Sequence, residues 1–145
     1  MAEATGFRFD KTTGNVRMNQ GDTGSFLVHA SRDSGEAWTE DSRMLFTVTN
    51  QAGDVVIKRI YRLDDQWDLG DGVVLIEFHN EDTDELPPGS YNMERRYNVT
   101  PIWSGTAPTG RCVNALETSA EMINGDVVRT VFRGTLTIED ILGRI

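Results

Sequence analysis

Along most of this chain apolar residues return at every second position, the period of a strand with one buried face. Val16 to Asn19 opens the series and Gln20-Gly21-Asp22 stops it. Ser25 to Ala30 follows, with Phe26, Val28 and Ala30 on one side. Arg43 to Thr49 sets Met44, Phe46 and Val48 inward against Leu45, Thr47 and Thr49, and Gln51-Ala52-Gly53-Asp54 supplies a hairpin turn into Val55 to Leu63. After the polar connection Asp64 to Gly72, the run Val73 to Phe78 is nearly all apolar, which predicts a strand covered on both sides or central in a sheet. The last strand alternates Val128, Thr130, Phe132, Gly134, Leu136 and Ile138 with Arg129, Val131, Arg133, Thr135 and Thr137, so one side of it is expected to be wet. Helix has little support: Thr118 to Ile123 and Ile138 to Ile145 each offer about a turn and no sustained stripe. The economical expectation is an all-β antiparallel sandwich.

One corner of that sandwich is written locally. Leu86-Pro87-Pro88-Gly89 must turn, because consecutive prolines exclude helix and glycine accepts either backbone sign. Tyr91 then enters the next strand as its first buried residue. Its hydroxyl needs a backbone partner in the preceding connection, as in the tyrosine corner of immunoglobulin-like domains. Leu86, Pro88, Gly89 and Tyr91 are thus expected to hold the frame.

Composition narrows the class. A length of 145 residues suits one domain, with 1–13 as an N-terminal arm and 100–124 as an insertion before the last strand. The lone Cys112 precludes an internal disulfide framework, so packing must supply the stability. A formal charge of −9 repels phosphate backbones and anionic lipid, so neither nucleic acid nor a membrane is an expected partner. No apolar run approaches the roughly 20 residues of a membrane span, and the N-terminus lacks the basic flank and apolar stretch of a secretion signal. Synthesis in the cytoplasm is the expectation.

Several short features together resemble a known family. They are Gln20-Gly21-Asp22-Thr23-Gly24-Ser25-Phe26, then Phe46-Thr47-Val48, then Asp82-Thr83, Leu86, Gly89 and Tyr91, and finally Gly134-x-Leu136-x-Ile138. The set resembles the immunoglobulin-like N-terminal domain of bacteriophage baseplate upper proteins and related tail-structure proteins, over residues 15 to 139. The resemblance implies a non-enzymatic module of a phage or prophage tail. Such a module is made in the bacterial cytoplasm and carried in the virion, where it docks other tail or baseplate proteins or copies of itself through its edge strands and the 98–126 insertion. The chain departs from the family between Tyr97 and Val127, where a short hairpin is usual and Pro101 to Leu116 is inserted, either as an extra hairpin or as an exposed loop. Trp103, within it, is a candidate anchor for a protein partner or a platform for a sugar ring, or else a cap on the open end of the core. Truncating residues 100–121 is expected to leave a folded protein with weaker partner binding.

Candidate chemistry is sparse. Asp64, Asp65, Asp68 and Asp71, with Glu81, Asp82, Asp84 and Glu85, offer oxygens to calcium, but no EF-hand spacing joins them, and a solvated acidic surface is the simpler reading, so no cofactor is expected. His29, His79 and Cys112 have no nucleophile, base or orienting acid at a recognisable offset. Gly70-Asp71-Gly72 and Gly105 to Gly110 lack the context of a phosphate loop. No enzyme is expected. Arg95 and Arg96, with Arg129 and Arg133 outward on the last strand, would form a basic stripe if their strands are neighbours, either as a partner surface or as cross-strand pairs with Glu94. A carbohydrate-binding or adhesion module is the rival reading, with Trp38, Trp67 and Trp103 as its aromatic candidates.

Overall fold

A computed structural model of the chain describes residues 7–30, 38–64, 72–98, 102–104, 112–114, 121–123 and 128–140. Among them are β1 (Arg8–Phe9), β2 (Val16–Asn19), β3 (Gly24–His29), β4 (Arg43–Thr49), β5 (Val55–Arg62) and β6 (Val73–Phe78). A short helix, α1 (Asn80–Thr83), precedes β7 (Gly89–Asn98). Then come β8 (Ile102–Ser104), β9 (Cys112–Asn114), β10 (Glu121–Ile123) and β11 (Val128–Glu139). The fold is all-β and sandwich-like. A seven-stranded sheet, in the order β1-β2-β11-β7-β4-β5-β9, faces the two-stranded ribbon β3-β6, and β8 pairs with β10.

The alternating pattern explains the core. Val16, Met18, Met44, Phe46, Val48, Ile57, Met93, Leu136 and Ile138 point from the large sheet toward Phe26, Val28, Val74, Ile76 and Phe78 of the ribbon, all of them buried. Phe46 and Phe26 both pack on Phe78, with ring centroids 6.0 and 6.3 Å away, and Phe9 stacks on Phe26 at 4.4 Å. Each such side chain withdrawn from water stabilises the fold by about 1.5–3 kcal/mol. Strand order β11-β7-β4-β5 opposite β3-β6 follows the variable-type immunoglobulin pattern, with β7 in the place of the strand that carries the tyrosine corner. The corner is formed: Tyr91 is buried and its hydroxyl donates to the Pro87 carbonyl at 2.5 Å. Gly89, at φ 149°, turns the chain into β7 where an L side chain would be strained.

Five expectations need correction. The large sheet is mixed, because β2 and β11 run parallel from Val16–Leu136 to Asn19–Glu139; alternation encodes a face and not a direction. β6 is neither central nor covered on both sides. Among the described strands it pairs with β3 alone, and Val73, Leu75 and Glu77 face outward half-buried, which an apolar run alone does not distinguish from two-sided burial. Residues 8–13 are not a free arm, since β1 pairs with β2 and Asp10 closes the turn by accepting from the N–H of Thr12 at 2.8 Å. The helical turn anticipated at 118–123 is, over Glu121–Ile123, a strand, while α1 forms where none was expected, with Asp82 accepting from the His79 N–H at 2.7 Å. A helix of four residues is too short to leave a periodic signature.

The fifth correction concerns β11. Its register on β7 slips between Thr130 and Phe132, so the backbone of Arg129 stands opposite Tyr97 and that of Arg133 opposite Glu94, and the two are not related by the simple alternation the sequence suggested. The spacing of four along the sequence assumed an unbroken ladder.

Candidate functional site

Connections at the two ends of the sandwich differ. At one end the turns are tight and cross-linked. Gly21 N–H donates to the Thr83 hydroxyl at 3.1 Å, that hydroxyl donates to the Asp22 carbonyl at 3.0 Å, and the Gln20 amide donates to the Leu86 carbonyl at 2.9 Å. Asn50 and Asp54 close the β4–β5 hairpin at 2.9 Å. At the other end the chain departs three times, over 30–42, 63–72 and 99–127. The register fixes this common exit, because Arg43 opposes both Arg62 and Asn98, Asn98 opposes Val128, and His29 opposes Val73. Backbone bonds bind the exits together: Leu63 N–H to Ser42 O, Gly72 N–H to Leu63 O and Ala30 N–H to Gly72 O.

At this open end the face of the large sheet turned away from the ribbon is covered as well. Arg43, Ile60 and Asn98 lie on that face, yet their exposures are 6%, 1% and 1%. Arg43 donates to the carbonyls of Glu40 and Ser42 at 2.6 and 3.0 Å, and burial, then the neighbouring Arg62, pull its pKa below the usual arginine value. Arg62 in turn clasps Asp64 with two bonds of 2.8 and 3.2 Å. The side-chain amide of Asn98 is buried and makes no hydrogen bond.

The insertion is more than a loop. β9 adds to β5 as an edge strand of the large sheet, with Cys112 opposite Tyr61 and Asn114 opposite Arg59, while β8 and β10 pair with Trp103 opposite Met122. Trp103 is half-buried. Trp38, by contrast, belongs to the core: its indole N–H donates to Ala30 O at 3.0 Å and its ring meets Tyr97 edge-on at 5.8 Å, so it offers no sugar platform. Trp67 lies outside the described residues.

β7 and β11 are neighbours, but the arginines divide. Arg96 and Arg133 both pair with Glu94, at 2.7 and 3.1 Å. Arg95 is on the inner face, its guanidinium 4.1 Å above the ring of Phe132, and burial lowers its pKa although Tyr97 opposes this. Phe132 lies so close to Gly14 that a side-chain carbon there would stand 2.1 Å from the ring. No continuous basic stripe forms from the described side chains.

A cavity of about 650 Å³ opens on the flank, between the β5–β9 edge and α1, lined by Val56, Arg59, His79, Glu81, Asp82, Glu85, Leu86, Cys112 and Asn114. Its charged floor is already neutralised. Arg59 is buried, forms an ion pair with Asp82 and donates to the Glu77 carbonyl at 2.5 Å. Burial would lower the Arg59 pKa, but its hydrogen bond to Asp82 and its interaction with Tyr61 raise it overall. Tyr61 is pushed up strongly, chiefly by burial and then by Cys112. A cation and carboxylate bonded to one another are poor acid–base catalysts, because neither offers a free proton site. Of the acids weighed as calcium ligands, Asp64 and Asp82 are engaged by arginines, Asp65, Asp68 and Asp71 lie outside the described residues, and no group of three or more metal-ligating side chains occurs among the described ones.

No described helix is long and apolar enough to cross a membrane. Compared with family models, curated proteins and solved structures, the chain matches none.

Proposed function

We propose that this chain is a non-enzymatic docking module that presents one end of its sandwich to partner proteins. One observation carries the reading: all three long connections leave the frame at the same end, while the opposite end is closed by tight, mutually bonded turns. Long connections gathered on a rigid sandwich are where recognition is usually built, because the strands fix their bases without fixing their chemistry. Within the third connection, β9 anchors to β5 and Trp103 lies half-buried in β8, so this segment combines a firm base with an aromatic side chain suited to an interface.

The resemblance read from the sequence makes the setting a phage or prophage tail or baseplate, with other tail proteins as partners and the virion as destination. Genes for tail or baseplate proteins beside this one are expected. One of their products should bind the purified chain, and Trp103→Ala should weaken that binding with the melting temperature unchanged. A metabolic gene neighbourhood, or retention on a glycan array that depends on Trp103, would overturn the reading in favour of another class.

A further inference from the structure

We propose that two copies of this chain join edge to edge through β3, antiparallel about a twofold axis at Leu27. The geometry starts from the ribbon's own ladder. Ala30 N–H donates to Gly72 O at 2.8 Å, and the register runs unbroken from there to Gly24–Phe78, so the even-numbered residues of β3 face β6 with their backbone groups. The N–H and C=O of Ser25, Leu27 and His29 therefore point out of the other edge, along which no described strand pairs. The same alternation on β6 sends the Glu77 carbonyl outward, and there Arg59 donates to it.

Edges are normally blunted, and the other edges here are. β1 is two residues long and carries Arg8, β9 is three residues long, and β6 has Glu77 and the Arg59 cap. β3 has none of these protections: Gly24-Ser25-Phe26-Leu27-Val28-His29 contains no proline, acid, lysine or arginine, and its register shows no bulge. Leu27 sits at its midpoint and is 58% exposed. Opposite it on β6, Leu75 shares the outer face, flanked by Val73.

A second copy fits this edge better than an arbitrary strand for two reasons. The outward groups are self-complementary: an axis at Leu27 pairs it with the Leu27 of the second copy, and pairs Ser25 with the second copy's His29, each as a hydrogen-bonded pair. The outer face then carries an unbroken apolar row of two Leu27 and two Leu75 side chains across four strands. Charge gives the second reason. Two chains of −9 repel, so they meet most readily where carboxylates are absent, and β3 carries none. Association of this kind strengthens as salt screens the repulsion, opposite to a contact made by complementary charges. The proposal does not involve the open end of the sandwich and does not depend on what binds there.

Sedimentation equilibrium of the full chain should show a dimer favoured by added salt, and Leu27→Lys should abolish it without lowering the melting temperature. Cross-linking gives a register test in a Cys112→Ser background. Leu27→Cys places two Cα atoms about 5.5 Å apart across the axis, within disulfide reach, whereas Ser25→Cys leaves them about 13 Å apart along the strand. Oxidation should link the first variant and not the second. A wild-type monomer at all concentrations and salts, a dimer that survives Leu27→Lys, or equal linking at both positions would overturn the proposal.

Discussion

All three tyrosines of this chain are held as neutral phenols. Burial raises the pKa of Tyr61, Tyr91 and Tyr97 above the free value, helped at Tyr61 by Cys112 and opposed at Tyr97 by Arg95. Each folded value lies above that of the unfolded chain, so this stabilisation is complete below about pH 10 and is lost as pH rises through the folded values. Native absorbance at 295 nm should therefore show Tyr61 titrating well above the ordinary phenol range, with Tyr91 and Tyr97 displaced in the same direction, and the melting temperature should fall from about pH 10 upward. Reversible titration of all three phenols at the ordinary midpoint in the folded protein would contradict this. Tyr91 was legible beforehand because the turn that captures its hydroxyl is written within five residues of it. Tyr61 and Arg59 were not, since their partners come from β9, α1 and β6.

At the scale of elements, the Arg59–Asp82 pair ties α1 and the end of β6 to β5. Both side chains are largely buried, at 7% and 11% exposure, so removing one partner strands a charge in a dry site. Asp82→Ala should cost about 3–5 kcal/mol in urea unfolding. Replacing both by apolar residues, as in Arg59→Met with Asp82→Leu, should recover most of that loss. A single variant as stable as the wild type would show the pair to be solvated. The strands themselves were readable from alternation, and β2 and β4 run over the residues it indicates. Alternation is interrupted at β11 by the register slip between Thr130 and Phe132, and the sequence around Val131 carries no mark of the irregularity.

For the whole molecule, the segment between β7 and β11 serves both as part of the sheet and as part of the open end. β9 covers the β5 edge, and Val113 stands opposite Ile60, which is 1% exposed on the face away from the ribbon. Deleting residues 99–123 in favour of a short turn should therefore lower stability by several kcal/mol through exposure of Ile60 and the β5 ladder, in addition to weakening any partner. This adds a loss of stability to the expectation that truncating residues 100–121 leaves a folded protein with weaker partner binding. A truncated protein with the wild-type urea midpoint would return the segment to the status of a loop.

The sequence alone determined the all-β class, the inward face of most strands and the tyrosine corner, because each of these depends on residues within a strand or a turn of one another. Only the tertiary structure decided that β2 meets β11 in parallel, that β9 joins the large sheet, that Trp38 is core, that Arg95 turns inward, and that three connections share one end. Those outcomes depend on which strands become neighbours. Many pairings bury the same alternating faces, and the choice among them rests on contacts between residues far apart in the chain.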